Sequence, residues 1–343
     1  MDGVVRVLIV DDSAFVRKVV RQMLSRSPFI EVVGVARDGE EAMEQVAELK
    51  PDVVTLDLNM PRFDGLEFLK RQNARQPVPV VLLSIASESG ELVMKALDAG
   101  AVDIVRKPTA LASDEIMQVA DELIAKVKAA ASARVPVPTA KGRIVAAANA
   151  AERLRTDLLV IGVSTGGPQA LKHIIPQFDR EFPIPIAVVL HMPVGYTELF
   201  ARSLGETSRL AVSEARDGDT LRSGVVLIAP AGYHLTFQRS SDNMVRARLS
   251  LRPLDTPHRP SVDVTFRSAS EAYGERMLAV VLTGMGSDGT DGAAWVKAQG
   301  GRVFTEAEES CVVYGMPRSV REAGLSDASI PLSGMAQAII EAL

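Results

Sequence analysis

The chain has 343 residues, 47% hydrophobic and 24% charged, the composition of a globular protein long enough for about two domains and not of a disordered chain. Thirty-eight basic against 43 acidic residues leave a net charge of −5, without the positive surplus that a duplex-binding protein sets against phosphate, and no apolar run approaches the ~18 to 20 residues that cross a bilayer. Cys311 is the only cysteine, which excludes an intrachain disulfide and a multi-cysteine metal site, and the early Asp2, Asp11 and Asp12 lack the basic start of a signal peptide, so a cytoplasmic location is expected.

Residues 1–129 alternate short β-rich runs with amphipathic stretches. The runs are Val5–Val10, Ile30–Ala36, Val53–Leu56, Val80–Leu83 and Val102–Val105, and between the first two Phe15, Val16, Val19, Val20, Met23 and Leu24 form one apolar helical stripe. Five βα units are expected, giving a five-stranded parallel, flavodoxin-like sheet wrapped by helices. Residues 130–155 are rich in alanine, carry Pro136 and Pro138, and supply few large core side chains, so they read as a linker. A second series follows over 156–343: Asp157–Val163, Ile184–Leu190, Gly224–Ala229, Met277–Thr283 and Arg302–Thr305. Leu235–Gln238 and Val245–Leu251, joined by Ser240-Ser241-Asp242-Asn243, read instead as an antiparallel hairpin. The second domain is therefore expected to be a doubly wound α/β fold, its sheet mostly parallel with an antiparallel edge.

In the first domain Asp11 and Asp12 follow the first strand, Asp57 ends the third, Ser84 ends the fourth and Lys107 follows the fifth, so all should meet at the carboxyl edge, where open α/β sheets place their sites. Clustered carboxylates repel one another unless a cation joins them, and Mg²⁺ suits a few carboxylates plus water and phosphate oxygens. A single aspartate after a strand is commonly only a helix cap. The strings Val10-Asp11-Asp12-Ser13, Leu56-Asp57-Leu58-Asn59-Met60-Pro61, Asp64-Gly65, Ser84 and Lys107-Pro108 together resemble a response-regulator receiver domain. The resemblance implies that Asp57 accepts a phosphoryl group, that Asp11 and Asp12 help it hold Mg²⁺, and that Ser84 and Lys107 sense the phosphate. Ile104 stands where receivers often carry an aromatic switch residue, so the aromatic part of the switch is expected to be absent.

In the second domain Gly162-Val163-Ser164-Thr165-Gly166-Gly167-Pro168 follows a strand as a sharp glycine-rich turn, the pattern of a nucleophile elbow. Glycine-rich turns also bind dinucleotides, but that fingerprint needs glycine where Ser164 stands and an acid where the next strand ends in His191. A serine needs a base. Of the four histidines, His191 ends the neighbouring strand, whereas His173, His234 and His258 read as packing or surface residues. Asp288 follows the strand at Met277 and is the matching acid, a role compatible with capping the helix after it. The order serine, histidine, aspartate differs from the three common triad orders and speaks against an α/β-hydrolase.

These residues, with His191-Met192-Pro193, Ala229-Pro230, Pro260-Ser261-Val262-Asp263, Leu282 to Gly289, Cys311-Val312-Val313 and Gly315-Met316-Pro317, resemble the catalytic domain of the CheB chemotaxis methylesterases, in which it follows a receiver. The resemblance implies a phosphorylation-activated protein-glutamate methylesterase that hydrolyses γ-glutamyl methyl esters on methyl-accepting chemoreceptors, releasing methanol, and in some members deamidates receptor glutamines. It implies a CheA-type histidine kinase as phosphodonor, and an unphosphorylated receiver that obstructs the esterase cleft. Backbone N–H groups of Thr165 and Met285 are expected to form the oxyanion hole, Met285 being the family's choice. No cofactor is expected for the esterase step, and neither nucleic acid nor membrane insertion is expected. A phosphorylation-controlled binding module without catalysis is the alternative, against which the intact Ser164, His191 and Asp288 count. A DNA-binding output fails because neither half of the chain carries a basic surplus.

Overall fold

The computed structural model describes residues 3–61, 63–108, 114–133 and 156–343, the side chains of 86–89 and 114–115 excepted, so the expected linker at 130–155 lies largely outside the described residues. The chain divides into two compact units, Met1–Pro138 and Thr139–Leu343.

The first unit runs β1 (Val5–Val10), α1 (Ala14–Leu24), β2 (Ile30–Ala36), α2 (Gly39–Leu49), β3 (Val53–Asp57), α3 (Gly65–Arg75), β4 (Val80–Ser84), α4 (Ala86–Asp98), β5 (Asp103–Arg106) and α5 (Asp114–Ala131). The strand order is β2-β1-β3-β4-β5, with every pairing parallel. β3 and β4 are buried along their whole length, as a sheet covered on both faces requires. The first three helices begin on side-chain caps, Ser13, Asp38 and Asp64, each accepting an N–H from the first turn. Each cap follows a strand or its loop, so the residues that start the helices also shape the carboxyl edge.

The second unit runs β6 (Leu158–Val163), α6 (Gly167–Ile174), β7 (Ile186–Leu190), α7 (Thr197–Thr207), β8 (Ala211–Glu214), β9 (Val225–Ile228), β10 (His234–Arg239), β11 (Val245–Ser250), α8 (Val262–Tyr273), β12 (Met277–Val281), α9 (Thr290–Ala298), β13 (Arg302–Glu306), α10 (Met316–Glu322), β14 (Ala328–Ile330) and α11 (Leu332–Glu341). Seven strands form one sheet in the order β14-β13-β12-β6-β7-β9-β8. Its pairings are all parallel. The antiparallel hairpin β10-β11 forms a two-stranded sheet of its own instead of an edge of the large one, and α8 packs against it. Leu235, Phe237 and Ala247 of the hairpin join Val262, Phe266 and Ala269 of α8 in the apolar core beside β6, β7 and β12. The short strands β8 and β14 occupy the two edges. β8 alternates exposed and half-buried residues and β14 has only three residues, so neither presents the apolar run that marks the other strands.

From β6 the chain builds outward in both directions, through β7 on one side and β12 on the other, so the winding reverses at β6 and β12. The crevice beyond the carboxyl ends of strands at such a reversal is where this architecture places ligands. No helix among the described residues is long and apolar enough to cross a membrane.

Candidate active site and phosphoacceptor site

The carboxyl ends of β6, β7 and β12 bring together the three residues that the sequence singles out in the second unit. Val163 and Leu190 are register partners on β6 and β7, so the next residues, Ser164 and His191, leave adjacent strands at the same level. On the other side Val281 of β12 pairs with Gly162 of β6, and the loop that follows carries Asp288. Backbone hydrogen bonds fasten the edges: His191 N–H donates to Val163 O at 3.1 Å, Ser164 N–H to Thr283 O at 3.0 Å, and Leu282 N–H to Gly162 O at 2.9 Å. The turn after Ser164 closes when Gly167 N–H reaches Ser164 O at 2.7 Å. Two glycines make this approach possible. Gly166 has φ +79° and would push a β-carbon into Val312, and a β-carbon on Gly284 would stand 2.8 Å from that of Ser164.

His191 Nε2 lies 2.8 Å from Asp288 Oδ2, and both side chains are nearly buried. Burial by itself raises the Asp288 pKa, but the hydrogen bond and charge of His191 and the N–H groups of Asp263 and Val262 outweigh it and hold the carboxyl well below the usual carboxylate range. A carboxylate only accepts, so His191 Nε2 donates to it, and in the neutral ring Nδ1 is the nitrogen with the lone pair. That Nδ1 is buried and has no hydrogen-bond partner. It is the ring nitrogen left over to act as a base.

Asp288 accepts three further hydrogen bonds: Ser261 Oγ at 2.9 Å, Val262 N–H at 2.8 Å and Asp263 N–H at 3.0 Å. It therefore sits on the N-terminus of α8, where unpaired N–H groups and the helix dipole favour negative charge. The helix that Asp288 caps is thus α8, not the one that follows it. α9 starts at Thr290, and its first N–H groups are taken by Asp263, whose Oδ1 accepts from Gly289 at 2.8 Å and Gly292 at 2.7 Å. Burial and the neighbouring Asp288 charge raise the pKa of Asp263. The two aspartates are exchanged: each lies next to one helix and caps the other, which fixes the loops of β12 and α8 against each other.

Among the described residues the N–H of Met285 donates to no acceptor, as an oxyanion donor requires, and Thr165 begins the turn immediately after the serine. Gly284 O accepts both Gly315 N–H at 3.0 Å and Met316 N–H at 2.8 Å, which sets the peptide before Met285. Thr283 Oγ1 donates to Thr165 O at 3.0 Å, joining the turn after Ser164 to the loop after β12.

Of the other histidines, His234 is fully buried and acts as a post. Its Nδ1 accepts Ser261 N–H at 3.2 Å and its Nε2 stands 3.0 Å from Pro253 O, which makes Nε2 the protonated nitrogen and the ring neutral. Burial lowers its pKa in the same sense. His173 is half-buried in α6, as a packing residue. His258 is the exception to the packing-or-surface expectation: its ring stacks on His191, with centroids 4.1 Å apart and planes 22° apart. Cys311 is buried, and burial and Glu306 push its thiol far up, so it holds no thiolate at neutral pH. Cys311→Ala is expected to leave ester hydrolysis within about three-fold of the parent, as for a small buried hydrophobe. A methanol-release assay that shows complete loss would point to a thiol nucleophile.

In the first unit Asp11, Asp12 and Asp57 offer carboxylate oxygens within 4.8 Å of one another. Lys107 Nζ stands 2.9 Å from both Asp11 Oδ2 and Asp57 Oδ2. Outside this ion pair neither of those buried oxygens has a hydrogen-bond partner, which is what an oxygen kept for a divalent cation shows. Burial raises the Asp11 pKa despite the opposing effect of Lys107, and the two carboxylates raise that of Lys107 against its own burial. Ser84 is buried at the end of β4, and Lys107 N–H donates to Ser84 O at 2.9 Å. Ile104 is buried in β5, and its carbonyl accepts Lys126 Nζ at 2.7 Å. Lys126 in turn lies 2.9 Å from both Asp103 and Glu122, and these charges hold its pKa up against full burial.

Residues 159–339 match the CheB methylesterase family model and residues 7–121 match the response regulator receiver domain model. A protein-glutamate methylesterase/protein-glutamine glutaminase of Myxococcus xanthus is 51% identical over 334 residues, which cover 96% of each chain. One of Symbiobacterium thermophilum is 44% identical over 99% of this chain and 97% of that protein. The crystal structure of the Thermotoga maritima CheB methylesterase catalytic domain matches with a TM-score of 0.54 and 44% identity, covering 55% of this chain and 100% of that one. The chain belongs to the CheB methylesterase family.

Proposed function

From that membership and from the geometry at the ends of β6, β7 and β12, we propose that the protein is a phosphorylation-activated protein-glutamate methylesterase. It hydrolyses glutamate methyl esters on methyl-accepting chemoreceptors in bacterial chemotaxis, and it deamidates receptor glutamines by the same acyl transfer. The observation that carries this reading is the pairing of His191 with Asp288 beside the serine-bearing strand: the Asp288 carboxylate takes the hydrogen bond of His191 Nε2, leaving Nδ1 buried and unpartnered, and Ser164 and His191 leave adjacent strands at the same level. Ser164 Oγ attacks the side-chain carbonyl as Nδ1 takes its proton. The tetrahedral oxyanion is met by the N–H groups of Met285 and Thr165, donors fixed before the reaction begins. Collapse expels methoxide, which takes the proton from Nδ1 and leaves as methanol. Water then repeats the sequence on the acyl-enzyme and releases glutamate. Asp288 stabilises the imidazolium in both halves.

The receiver reading rests on Asp57. Asp11, Asp12 and Asp57 are the residues that would hold Mg²⁺, which when bound neutralises charge on the incoming phosphoryl group. The Asp57 carboxylate is the phosphoacceptor, with a CheA-type histidine kinase as donor, and Lys107 and Ser84 face the added phosphate. The acyl phosphate carries about −1.5 to −2 charge where the Asp57 carboxylate carried −1, at a site where three carboxylates already face one lysine, enough to bias a two-state element. The direct test is methanol release from methylated receptor fragments, with and without a small-molecule phosphodonor. Stimulation by the phosphodonor supports the reading, and no methanol under either condition refutes it. Asp57→Asn is expected to abolish phosphate incorporation and the stimulation while leaving the unstimulated rate unchanged, because Asp57 takes no part in the ester chemistry. Radiolabelled phosphate retained by that variant would place the phosphoacceptor elsewhere.

A further inference from the structure

A hydrogen bond from Nε2 to Asp288 fixes the direction of one N–H of His191 but leaves the ring free to turn about that bond. The terminal torsion of histidine is broad and resists such turning weakly. Nδ1 has no hydrogen bond of its own to hold the plane. Against the face of that plane lies the stacked ring of His258.

The segment that carries His258 is itself anchored. His234, fully buried, binds both ends of the 253–261 loop, its Nε2 at Pro253 O and its Nδ1 at Ser261 N–H, and Thr256 Oγ1 stands 3.3 Å from the same Nε2. Arg259 O accepts Gly232 N–H at 2.9 Å and Arg259 Nη2 donates to Leu254 O at 3.2 Å, so the backbone on either side of the stacked ring is tied down. Three residues further on, Ser261, Val262 and Asp263 hold the Asp288 carboxylate. One short stretch, 258–263, therefore supplies the face of the base through one residue and the seat of the acid through three. The two restraints are complementary, since the acid fixes a direction and the ring fixes a plane.

We propose that His258 is a positioning residue for the esterase reaction. It acts through the ring of His191 and not on the reacting atoms. Its ring keeps the imidazole plane of His191 turned so that the Nδ1 lone pair stays aimed at the serine, and it offers a π face to the imidazolium that forms when the proton arrives. A planar ring of any aromatic residue meets both requirements, whereas a residue without a ring meets neither.

The inference rests on the reading of His191 as the base. The test uses the full-length protein and three variants, His258→Ala, His258→Leu and His258→Phe, each compared by thermal melting to establish folding. Two readouts are taken: kcat and KM for methanol release from methylated receptor fragments, and the rate at which a fluorophosphonate labels Ser164, which does not depend on receptor binding. His258→Ala and His258→Leu are expected to lower kcat and the labelling rate by about ten- to a hundred-fold with little change in KM, the scale of a misaimed catalytic group. His258→Phe is expected to recover most of both losses. A loss confined to KM, variants without the ring that keep the parent rates, or a phenylalanine no better than leucine would each overturn the proposal. His191→Ala separates the two levels. If it retains the parent rates, the assignment of the base has failed; if it is inactive while His258→Ala is unaffected, only the positioning role has failed.

Discussion

Ser164→Ala is expected to lower methanol release by about 10⁴- to 10⁶-fold, the loss seen when a serine nucleophile is removed from an intact triad and oxyanion site. The size follows from the surroundings of the serine. Its backbone N–H and carbonyl are both engaged, with Thr283 O and Gly167 N–H, so the main chain does not shift to present another group. The other nucleophile within the domain, Cys311, is buried and its pKa is pushed up. Thr165, next to Ser164, is buried as well, and its carbonyl is held by Thr283 Oγ1. The substitution removes a hydroxyl and leaves the methyl stem, so the melting temperature should stay close to that of the parent. Phosphodonor-dependent phosphorylation of Asp57 should also persist in this variant, which separates loss of chemistry from loss of fold. Esterase activity within ten-fold of the parent, measured on the same methylated receptor, would remove Ser164 from the mechanism.

The main strands and the edge that carries the candidate residues are legible in the sequence for a physical reason. Strands buried on both faces of a parallel sheet must be apolar throughout, so Val5–Val10, Leu158–Val163 and Met277–Val281 stand out as continuous runs, and the polar residue that ends each run marks the carboxyl edge. Ser164, His191, Asp11 and Asp57 stand at or just past such an end, whereas Asp288 lies seven residues beyond β12, in the loop before α9. The edge strands Ala211–Glu214 and Ala328–Ile330 were not legible, because a short strand with one open side carries no such run. The hairpin was legible as two strands, but its separation from the large sheet was not, since pairing partners leave no trace in local periodicity. The same limit hid the exchange of caps between Asp263 and Asp288 and the stack of His258 on His191. Both join residues about 25 to 70 positions apart, and only the fold brings them together. Ser261 did carry a local signal: a serine just before the apolar residues of α8 is a helix cap, and its Oγ accepts Val264 N–H at 3.4 Å. That signal says nothing of its bond to Asp288.

Asp288→Asn is expected to lower kcat by about 10³- to 10⁴-fold, because it reverses the tautomer of the base. The native carboxylate accepts from four donors: Nε2–H of His191, Oγ–H of Ser261, and the N–H groups of Val262 and Asp263. An amide of the same shape has one accepting oxygen and one donating nitrogen. The donors on the α8 side are the more demanding, since two of them are main-chain N–H groups with no other partner and cannot rotate. Oδ2 receives both His191 Nε2–H and Val262 N–H, whereas Oδ1 receives Ser261 and Asp263. Keeping the amide oxygen at the Oδ1 position satisfies two donors and turns the NH₂ toward His191. The imidazole must then accept at Nε2 and carry its proton on Nδ1, the atom that has to be bare to receive the proton of Ser164. Val262 N–H meanwhile faces another donor, so the start of α8 is weakened by about 1–3 kcal/mol, the cost of one buried unsatisfied group. A two-part result is therefore expected: a large fall in kcat at neutral pH and a lowered melting temperature in the same variant. The imidazole ¹⁵N resonances of His191 read the tautomer directly, protonated at Nε2 in the parent and at Nδ1 in Asp288→Asn. A variant with the parent tautomer and the parent rate would show that Asp288 is only the cap of α8 and that the base is oriented by other groups.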